Sequence, residues 1–178
     1  MAGVYAIDYA RDSMSTLLIL GAGGHGRVVA EVATSLGYEV SFLDDKSGQN
    51  VVGRIDEAPK FKDRFDAFFV GIGNNKMRRE LQERLSGQGV SIVTLISPSA
   101  IVSPSAVIGT GTVVEPGAII NTGVKIGQGC IVSVGSVIDH DSVLGDFSHV
   151  NTGAICMSGA HVEEEQKVEA GEVVHGFY

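Results

Sequence analysis

Residues 101–150 read IVSPSAVIGTGTVVEPGAIINTGVKIGQGCIVSVGSVIDHDSVLGDFSHV and contain a six-residue repeat. An apolar residue occupies every sixth position from Val102 to Val174, thirteen positions in all. The residue two places before each of them is small from Ala100 to Ala160. A large and a small residue alternating in this way are typical of a parallel β-helix, in which each hexad forms one face and the coils stack. At three hexads per coil, the repeat predicts a short solenoid of about four coils.

The composition of the chain changes near residue 100. Residues 101–178 hold 14 Val, 8 Ile and one Leu, and their two basic and nine acidic residues give a net charge of −7. Because β-branched residues favour strands, this half is predicted to be almost entirely β. It has no clustered positive face, so we expect no binding to nucleic acid. No apolar run approaches the length of a membrane span, so we expect no membrane partner.

The preceding residues, 16–96, are predicted to form a Rossmann-like parallel α/β sheet. The predicted order is strand 17–20, helix 27–33, strand 39–43, strand 67–70, helix 76–86 and strand 92–96. Such alternation predicts a parallel sheet with ligands at the carboxyl ends of its strands. We therefore expect two domains, 16–96 and 97–178. An extension, residues 1–15, would precede them, and either Met1 or Met14 could be the true start.

Three loops follow the predicted strands of the α/β unit and should converge on one crevice. Residues 21–26, GAGGHG, match a glycine pattern that lets backbone amides approach a phosphate at a helix N-terminus. The pair Asp44 and Asp45 and residues 71–75, GIGNN, end the next two strands. The alternatives are a tight turn without ligand and a solvated acidic turn. Because the unit is half a dinucleotide fold, a mononucleotide or nucleotide-sugar fits better than NAD, which disfavours an oxidoreductase.

Two histidines of the repeat are predicted to face outward. His140 follows the inward Ile138 by two positions, and His149 directly precedes the inward Val150. We expect both histidines to border a single groove; the alternative is two solvated surface residues. Asp141 adjoins His140, and a histidine that acts as a base needs a carboxylate that orients it and increases its basicity.

The two cysteines are predicted to be core residues. Cys130 falls on an inward small position and Cys156 on an inward aliphatic position of the hexads. Two cysteines make neither a disulfide framework nor a metal cluster, so no metal is expected.

The N-terminus lacks the apolar stretch of a secretory signal. We therefore predict a cytoplasmic protein.

Several motifs together resemble the sialic-acid O-acetyltransferase-like branch of the left-handed β-helix acyltransferases. Its best-understood members are bacterial nucleotide-sugar N-acetyltransferases. The motifs are residues 21–26, GAGGHG; 42–45, FLDD; 71–75, GIGNN; 97–100 and 103–106, both SPSA; and 138–141, IDHD. The resemblance implies a left-handed β-helix, a homotrimer, acetyl-CoA bound between neighbouring β-helices, and a UDP- or GDP-linked 4-amino sugar held by the N-terminal domain.

The resemblance also implies roles for individual residues. His140 would be the general base, and Asp141 would raise its basicity. His149 and the backbone at Ala170 would contact acetyl-CoA. The implied nucleotide-sugar ligands are Gly23, Gly24, His25, Asp44, Asp45 and Gly73. The expected reaction is acetyl transfer from acetyl-CoA to the amino group of the sugar.

The chain departs from this family pattern near its C-terminus. The repeat degrades after Gly159, and Glu163 and Glu169 stand where coil corners usually have glycine. Relatives normally continue for further coils, and they often have asparagine at the position of Ser133. Two alternatives therefore stay open. One is a sugar O-acetyltransferase, and the other is a catalytically weak nucleotide-sugar-binding or assembly protein.

Overall fold

The computed structural model describes residues 15–177, so the predicted extension, apart from Ser15, and both candidate starts lie outside the described residues. The first part contains β1 Thr16–Leu20, α1 Gly24–Ser35, β2 Glu39–Leu43, β3 Val51–Gly53, a 3-10 helix Ile55–Phe61, β4 Ala67–Val70 and α2 Asn75–Ser86. Its four strands form one parallel sheet in the order β3-β2-β1-β4. The predicted parallel α/β sheet is therefore confirmed.

The end of the α/β sheet differs from the prediction. The strand predicted at 92–96 divides, because Ile92 makes a single parallel bridge to Phe68 whereas Leu95–Ile96 pairs with Val113–Val114 in the β-helix. Ile96 lies six residues before Val102, so it continues the hexad register and stacks with the coils. The short strand β3 and the 3-10 helix were not predicted.

Fourteen two-residue strands build the second part. They are β5 Leu95–Ile96, β6 Ile101–Val102, β7 Val107–Ile108, β8 Val113–Val114, β9 Ile119–Ile120, β10 Lys125–Ile126, β11 Ile131–Val132, β12 Val137–Ile138, β13 Val143–Leu144, β14 His149–Val150, β15 Ile155–Cys156, β16 His161–Val162, β17 Lys167–Val168 and β18 Val173–Val174. At three strands per coil they make between four and five coils of a left-handed parallel β-helix, as predicted.

The coils stack their strands into three parallel sheets. We name β17-β14-β11-β8-β5 the docking sheet, β18-β15-β12-β9-β6 the aliphatic sheet and β16-β13-β10-β7 the third sheet. The chain passes through them in that order in every coil, so each coil is a triangle whose corners join successive sheets. The repeat therefore continues to Val174, although Gln166 and Glu172 are exposed at positions where earlier coils have small buried residues.

The inward residues of the hexads form one continuous core. Ile120, Val132, Ile138 and Val150 are at most 1% exposed, and residues at the same hexad position pack along the whole solenoid. Cys130 and Cys156 are free, buried members of the same core. Burial raises the pKa of both thiols, so the prediction that they are core residues is confirmed.

The docking sheet packs against the α/β part. Its outward residues Leu95, Val113 and Ile131 join a buried cluster with Val29 and Val32 of α1. In the next coil the same outward column continues with a histidine, since Ile131 pairs with His149. The hydrophobic interface thus ends at His149, where polar groups from both parts of the chain meet.

Candidate functional site

The glycine loop of residues 21–26 is shaped by close backbone approach. α1 begins at Gly24, so His25 and Gly26 belong to its first turn. A Cβ atom at Gly26 would overlap the carbonyl oxygen of Gly21, so no other residue fits there. By contrast, a Cβ atom at Gly23 or Gly24 would meet nothing within 4 Å. The protein itself does not require glycine at these two exposed positions, which leaves the backbone accessible to a ligand.

Asp44 holds the glycine loop in place. Its Oδ2 accepts a hydrogen bond of 2.8 Å from the backbone N–H of Ala22, and its Oδ1 accepts one of 2.9 Å from Lys46 N. These two hydrogen bonds, that from Ala22 first, lower the pKa of Asp44. Asp45 is exposed and lies 3.5 Å from the guanidinium of Arg54. Asp44 therefore acts on the loop conformation, while Asp45 faces solvent.

The loop after β4 completes the convergence predicted for the three loops. The Cβ atom of His25 lies 3.8 Å from the position that a Cβ at Gly73 would occupy, and Gly71 approaches the backbone of Gly26. The side chain of Asn74 caps α2 by accepting a hydrogen bond of 2.9 Å from Met77 N. The structure thus brings Gly23, Gly24, His25, Asp44 and Gly73 to one edge of the sheet.

Arg78 joins this edge to the β-helix and was not predicted. Its guanidinium is buried, and it donates to the carbonyl oxygens of Gly129 at 2.6 Å, Ile72 at 3.0 Å and Phe147 at 2.8 Å. Burial lowers the pKa of Arg78 to about 10. A sequence signal existed, since Arg78 shares a helical face with Leu81 and residues 82 and 85, at the spacing of a buried stripe.

His25 points from the glycine loop to the β-helix. Its Nδ1 lies 3.5 Å from Oε1 of Glu115, which is only 5% exposed and whose Oε2 accepts a hydrogen bond of 3.0 Å from Val134 N. Burial, and next the positive charge of Arg78, lower the pKa of His25 to about 4. Its Nε2 is buried without a partner. Glu115 was not predicted either, although it is a carboxylate that directly follows the apolar strand β8.

His149 joins the same polar cluster. Its Nε2 is 3.1 Å from the hydroxyl of Ser133, and its Nδ1 is buried without a partner. Burial, and then the charges of Arg78 and Lys167, lower the pKa of His149 to about 4. His25, Glu115, Ser133 and His149 thus form a cluster between the α/β part and the docking sheet, which we name the interface cluster. At neutral pH both of its histidines are uncharged.

His140 occupies a different environment, at the exposed corner between β12 and β13. Its Nδ1 lies 2.9 Å from Oδ2 of Asp141, and its backbone N–H donates to Asp139 Oδ1 at 2.8 Å. The side-chain hydrogen bond to Asp141 raises the pKa of His140. Asp141 has φ +59°, and the equivalent corner positions one coil away are Gly123 and Gly159. Aspartate tolerates this left-handed conformation better than most residues other than glycine, and Phe147 and Glu165 adopt it at another corner.

The expectation that His140 and His149 border a single groove is wrong within one chain. His140 lies at the corner between the aliphatic and third sheets, whereas His149 begins a strand of the docking sheet. In a triangular coil, the corner between two sheets lies opposite the remaining sheet. His149 follows His140 by nine residues, which are one and a half hexads. Over this distance the chain crosses the third sheet at β13 and reaches the docking sheet at β14. Ala170 is exposed at the corner after β17, one coil beyond His149.

Comparisons with known proteins found a family model, a curated relative and solved structures that are similar to this chain. Residues 16–85 match the family model described as PglD N-terminal domain. A UDP-N-acetylbacillosamine N-acetyltransferase from Bacillus subtilis (strain 168) is 37% identical over 108 residues, which are 55% of this chain. That match spans only half, 50%, of the length of the Bacillus relative.

Two solved structures are similar over nearly the whole chain. The acetyltransferase domain of PglB from Neisseria gonorrhoeae FA1090 is 33% identical with a TM-score of 0.74, covering 91% of this chain and 97% of that one. The same domain has also been solved in complex with acetyl coenzyme A. PerB from Caulobacter crescentus, in complex with CoA and GDP-perosamine, is 31% identical with a TM-score of 0.80, covering 91% of this chain and 89% of that one.

Fold and relatives therefore define a left-handed β-helix acyltransferase with an N-terminal α/β part. More narrowly, the chain belongs to the nucleotide-sugar N-acetyltransferases of the hexapeptide-repeat family. The predicted family and fold class are confirmed. Among residues 15–177, no group of three or more His, Cys, Asp or Glu side chains is placed to hold a metal ion. No helix in this part of the chain is long and apolar enough to cross a bilayer.

Proposed function

We propose that this protein transfers an acetyl group from acetyl-CoA to the amino group of a UDP- or GDP-linked 4-amino sugar. The observation that carries the proposal is the hydrogen-bonded pair of His140 and Asp141, 2.9 Å apart at an exposed β-helix corner. The names of the relatives support the reaction type. The Bacillus relative is a UDP-N-acetylbacillosamine N-acetyltransferase, the PglB acetyltransferase domain was solved with acetyl coenzyme A, and PerB was solved with CoA and GDP-perosamine.

His140 is the general base of the proposed reaction. With its Nδ1 proton directed to Asp141, its Nε2 carries a free lone pair that can accept a proton from the sugar amine. The amine nitrogen attacks the thioester carbonyl, its C–N bond forms, and the C–S bond to coenzyme A breaks. The proton lost by the amine passes to His140 and then to the leaving thiolate. No enzyme nucleophile is needed, which agrees with the burial of both cysteines.

The α/β part, residues 16–94, binds the nucleotide-sugar in this proposal, and the β-helix that begins at Leu95 supplies the acetyltransferase part. Gly23 and Gly24 leave the loop backbone open for a phosphate at the start of α1. His25 and Gly73 line the same edge. Asp44 holds the loop through Ala22, and the exposed Asp45, which lies beside Arg54, meets a ribose or base in this proposal.

We further propose a homotrimer in which neighbouring β-helices share the site. One sheet carries an uninterrupted outward column of aliphatic side chains, Ile101, Ile119, Val137, Ile155 and Val173. Ile101 is 65% exposed and Val173 42% in a single chain. Burial of this column against two other copies would remove it from water. The docking sheet is already covered by the α/β part, and the outward column of the third sheet includes Lys125 and His161, so the aliphatic sheet is the more apolar of the two remaining faces.

A shared site also accounts for the separation of the two outward histidines. His149 and the exposed backbone of Ala170 are the proposed acetyl-CoA contacts, but His149 lies across the β-helix from His140 of the same chain. One acetyl-CoA molecule would therefore meet His140 of one subunit and His149 of another.

Cytoplasmic location stays a prediction that rests on the two unpaired cysteines.

The test is an acetyl-transfer assay with acetyl-CoA and a panel of UDP- and GDP-linked 4-amino sugars. Release of the coenzyme A thiol and the mass of the product are measured for the wild type and His140→Ala. His161→Ala is the matched control, because His161 is another exposed histidine, on the third sheet one coil further on. We expect transfer with wild type and control and its loss in His140→Ala. Nucleotide-sugar binding without transfer would favour the binding or assembly alternative.

The same assay separates the remaining alternatives. An alkali-labile acetyl ester in the product would identify an O-acetyltransferase. For the oligomer, Ile119→Glu places a charge in the aliphatic column, and sedimentation should show a loss of trimers together with a loss of transfer. A wild-type protein that is active as a stable monomer would contradict the shared site.

A further inference from the structure

Glu115 is a buried carboxylate with two different neighbours, one on each part of the chain. Its Oε2 accepts a hydrogen bond of 3.0 Å from Val134 N in the β-helix, and its Oε1 lies 3.5 Å from Nδ1 of His25 in the glycine loop. The backbone hydrogen bond fixes the carboxylate, so its second oxygen presents an acceptor to one particular ring nitrogen.

We propose that Glu115 is a positioning residue that keeps the proton of the His25 ring on Nδ1 and leaves Nε2 as a hydrogen-bond acceptor. A ring in this tautomer takes a donor from the ligand, such as a hydroxyl or amino group, and repels a phosphate oxygen. Recognition of phosphate then belongs to the backbone amides around Gly23 and Gly24. The kinetic consequence rests on the proposed function, because it assumes that His25 contacts the nucleotide-sugar.

The surroundings of His25 make its tautomer the relevant property. The ring is mostly buried, and the charged or titratable groups that act on it are Glu115, Arg78 and His149. Burial and the Arg78 charge lower the pKa of His25 to about 4, so at neutral pH the ring holds one proton. That proton can sit on either nitrogen. The Nε2 atom is buried without a partner, whereas Nδ1 faces a carboxylate, which favours Nδ1.

Glu115 also connects His25 to the other histidine of the interface cluster. Val134, whose N–H holds the Glu115 carboxylate, directly follows Ser133, and the Ser133 hydroxyl is 3.1 Å from Nε2 of His149. The orientation of His25 is thereby tied to the coil that carries Ser133. A change at Glu115 should alter how the ligand is held without altering the exposed base at His140.

The chain contains a matched pair that lacks this effect. His161 Nε2 and Glu163 Oε1 are also 3.5 Å apart, but their side chains are 58% and 76% exposed. Water competes for both groups there, so the carboxylate does not select a tautomer. Glu163→Gln is therefore the control for Glu115→Gln.

The first experiment measures the ring nitrogens directly, by long-range proton–nitrogen NMR of the full-length protein labelled with ¹⁵N-histidine. In the wild type we expect a neutral His25 with a protonated Nδ1 and a bare Nε2. In Glu115→Gln, the amide oxygen can still accept from Val134 N while the amide nitrogen donates to Nδ1 of His25, so the proton should move to Nε2. Glu163→Gln should leave the His25 signals unchanged. A wild-type His25 that is charged, or protonated on Nε2, overturns the proposal.

The second experiment is a double-mutant cycle on the kinetics. Glu115→Gln should raise the KM for the nucleotide-sugar about tenfold, the cost of one misplaced hydrogen bond, with kcat changed by less than about twofold. In a His25→Ala background the same substitution should have no further effect. An equal rise in KM in both backgrounds would show that Glu115 acts independently of His25 and would overturn the positioning role. If the wild type transfers no acetyl group, the proposed function fails, and the NMR result still decides the role of Glu115.

Discussion

The exposed corner at His140 and the interface cluster shift the pKa of histidine in opposite directions. The side chain of His140 is 49% exposed, and the carboxylate of Asp141 raises its pKa. His25 and His149 are largely buried, and desolvation lowers the pKa of each to about 4. Even the nearby Glu115 does not reverse the effect of burial on His25. The comparison teaches that a hydrogen-bonded carboxylate at an accessible corner favours the protonated histidine, whereas burial favours the neutral ring.

The largest expected effect tests whether the two environments differ in chemistry. His140→Ala should lower kcat by about 10²- to 10⁴-fold, the range for loss of a general base. The melting temperature should hardly change, because the side chain is exposed. Steady-state kinetics and a thermal melt measure the two quantities. A variant that keeps most of its transfer activity would remove the distinction between the corner and the cluster.

The buried interface cluster depends on Arg78, which links the α/β part to the β-helix. Arg78→Met would leave the carbonyl oxygens of Gly129 and Phe147 without their buried donor, at a cost of about 3 kcal/mol in unfolding free energy. Urea denaturation measures this loss. Arg84→Met is the control, since Arg84 is exposed in the last turn of the same helix. Equal losses in both variants would contradict the central role of Arg78.

Acid should distinguish the two environments by the sign of their effect on stability. For His25 and His149 the pKa in the folded protein is about 4, whereas the ordinary pKa of histidine is 6.5. Their contribution is therefore complete above pH 6.5 and is lost as the pH falls towards 4, with a slope of up to about 1.4 kcal/mol per pH unit for each buried histidine. Solvent screening makes the share of the half-buried His149 smaller.

His140 has the opposite sign, because its pKa is raised and its contribution is lost as the pH rises through the folded pKa. Urea denaturation between pH 4 and 7 should show the acid loss in the wild type and a shallower one in His25→Gln. His161→Gln should keep the wild-type profile. An unchanged profile in His25→Gln would contradict the burial argument.

The smallest effect is expected for Asp141. Its substitution tests whether its carboxylate raises the pKa of His140 at the corner. Asp141→Asn keeps a side chain that tolerates φ +59° but removes the carboxylate. Because His140 must be neutral to act and Asp141 raises its pKa, the acid limb of kcat/KM should move to lower pH in this variant. Asp141→Gly should have the same kinetic effect with equal or higher thermal stability, since it restores glycine to a left-handed position. A limb that stays in place would contradict the pairing.

The sequence determined the repeat, because each coil is a local unit with one large inward residue per hexad. It also identified His140 with Asp141, since they are neighbours in the chain, and the buried cysteines, since their hexad positions face inward. The convergence of the three loops of the α/β part could also be predicted from the sequence. In a parallel sheet, all strands end at the same edge.

The tertiary structure alone decided what lies between the two parts. Glu115 meets His25 across 90 residues of chain, and Arg78 meets Gly129 across 51. The same packing covered the docking sheet beside His149 with α1 and moved Leu95–Ile96 out of the α/β sheet. Periodicity specifies which face a residue belongs to within its own element. It carries no information on which distant element covers that face, and this contact determines burial, pKa and the partner of each polar group.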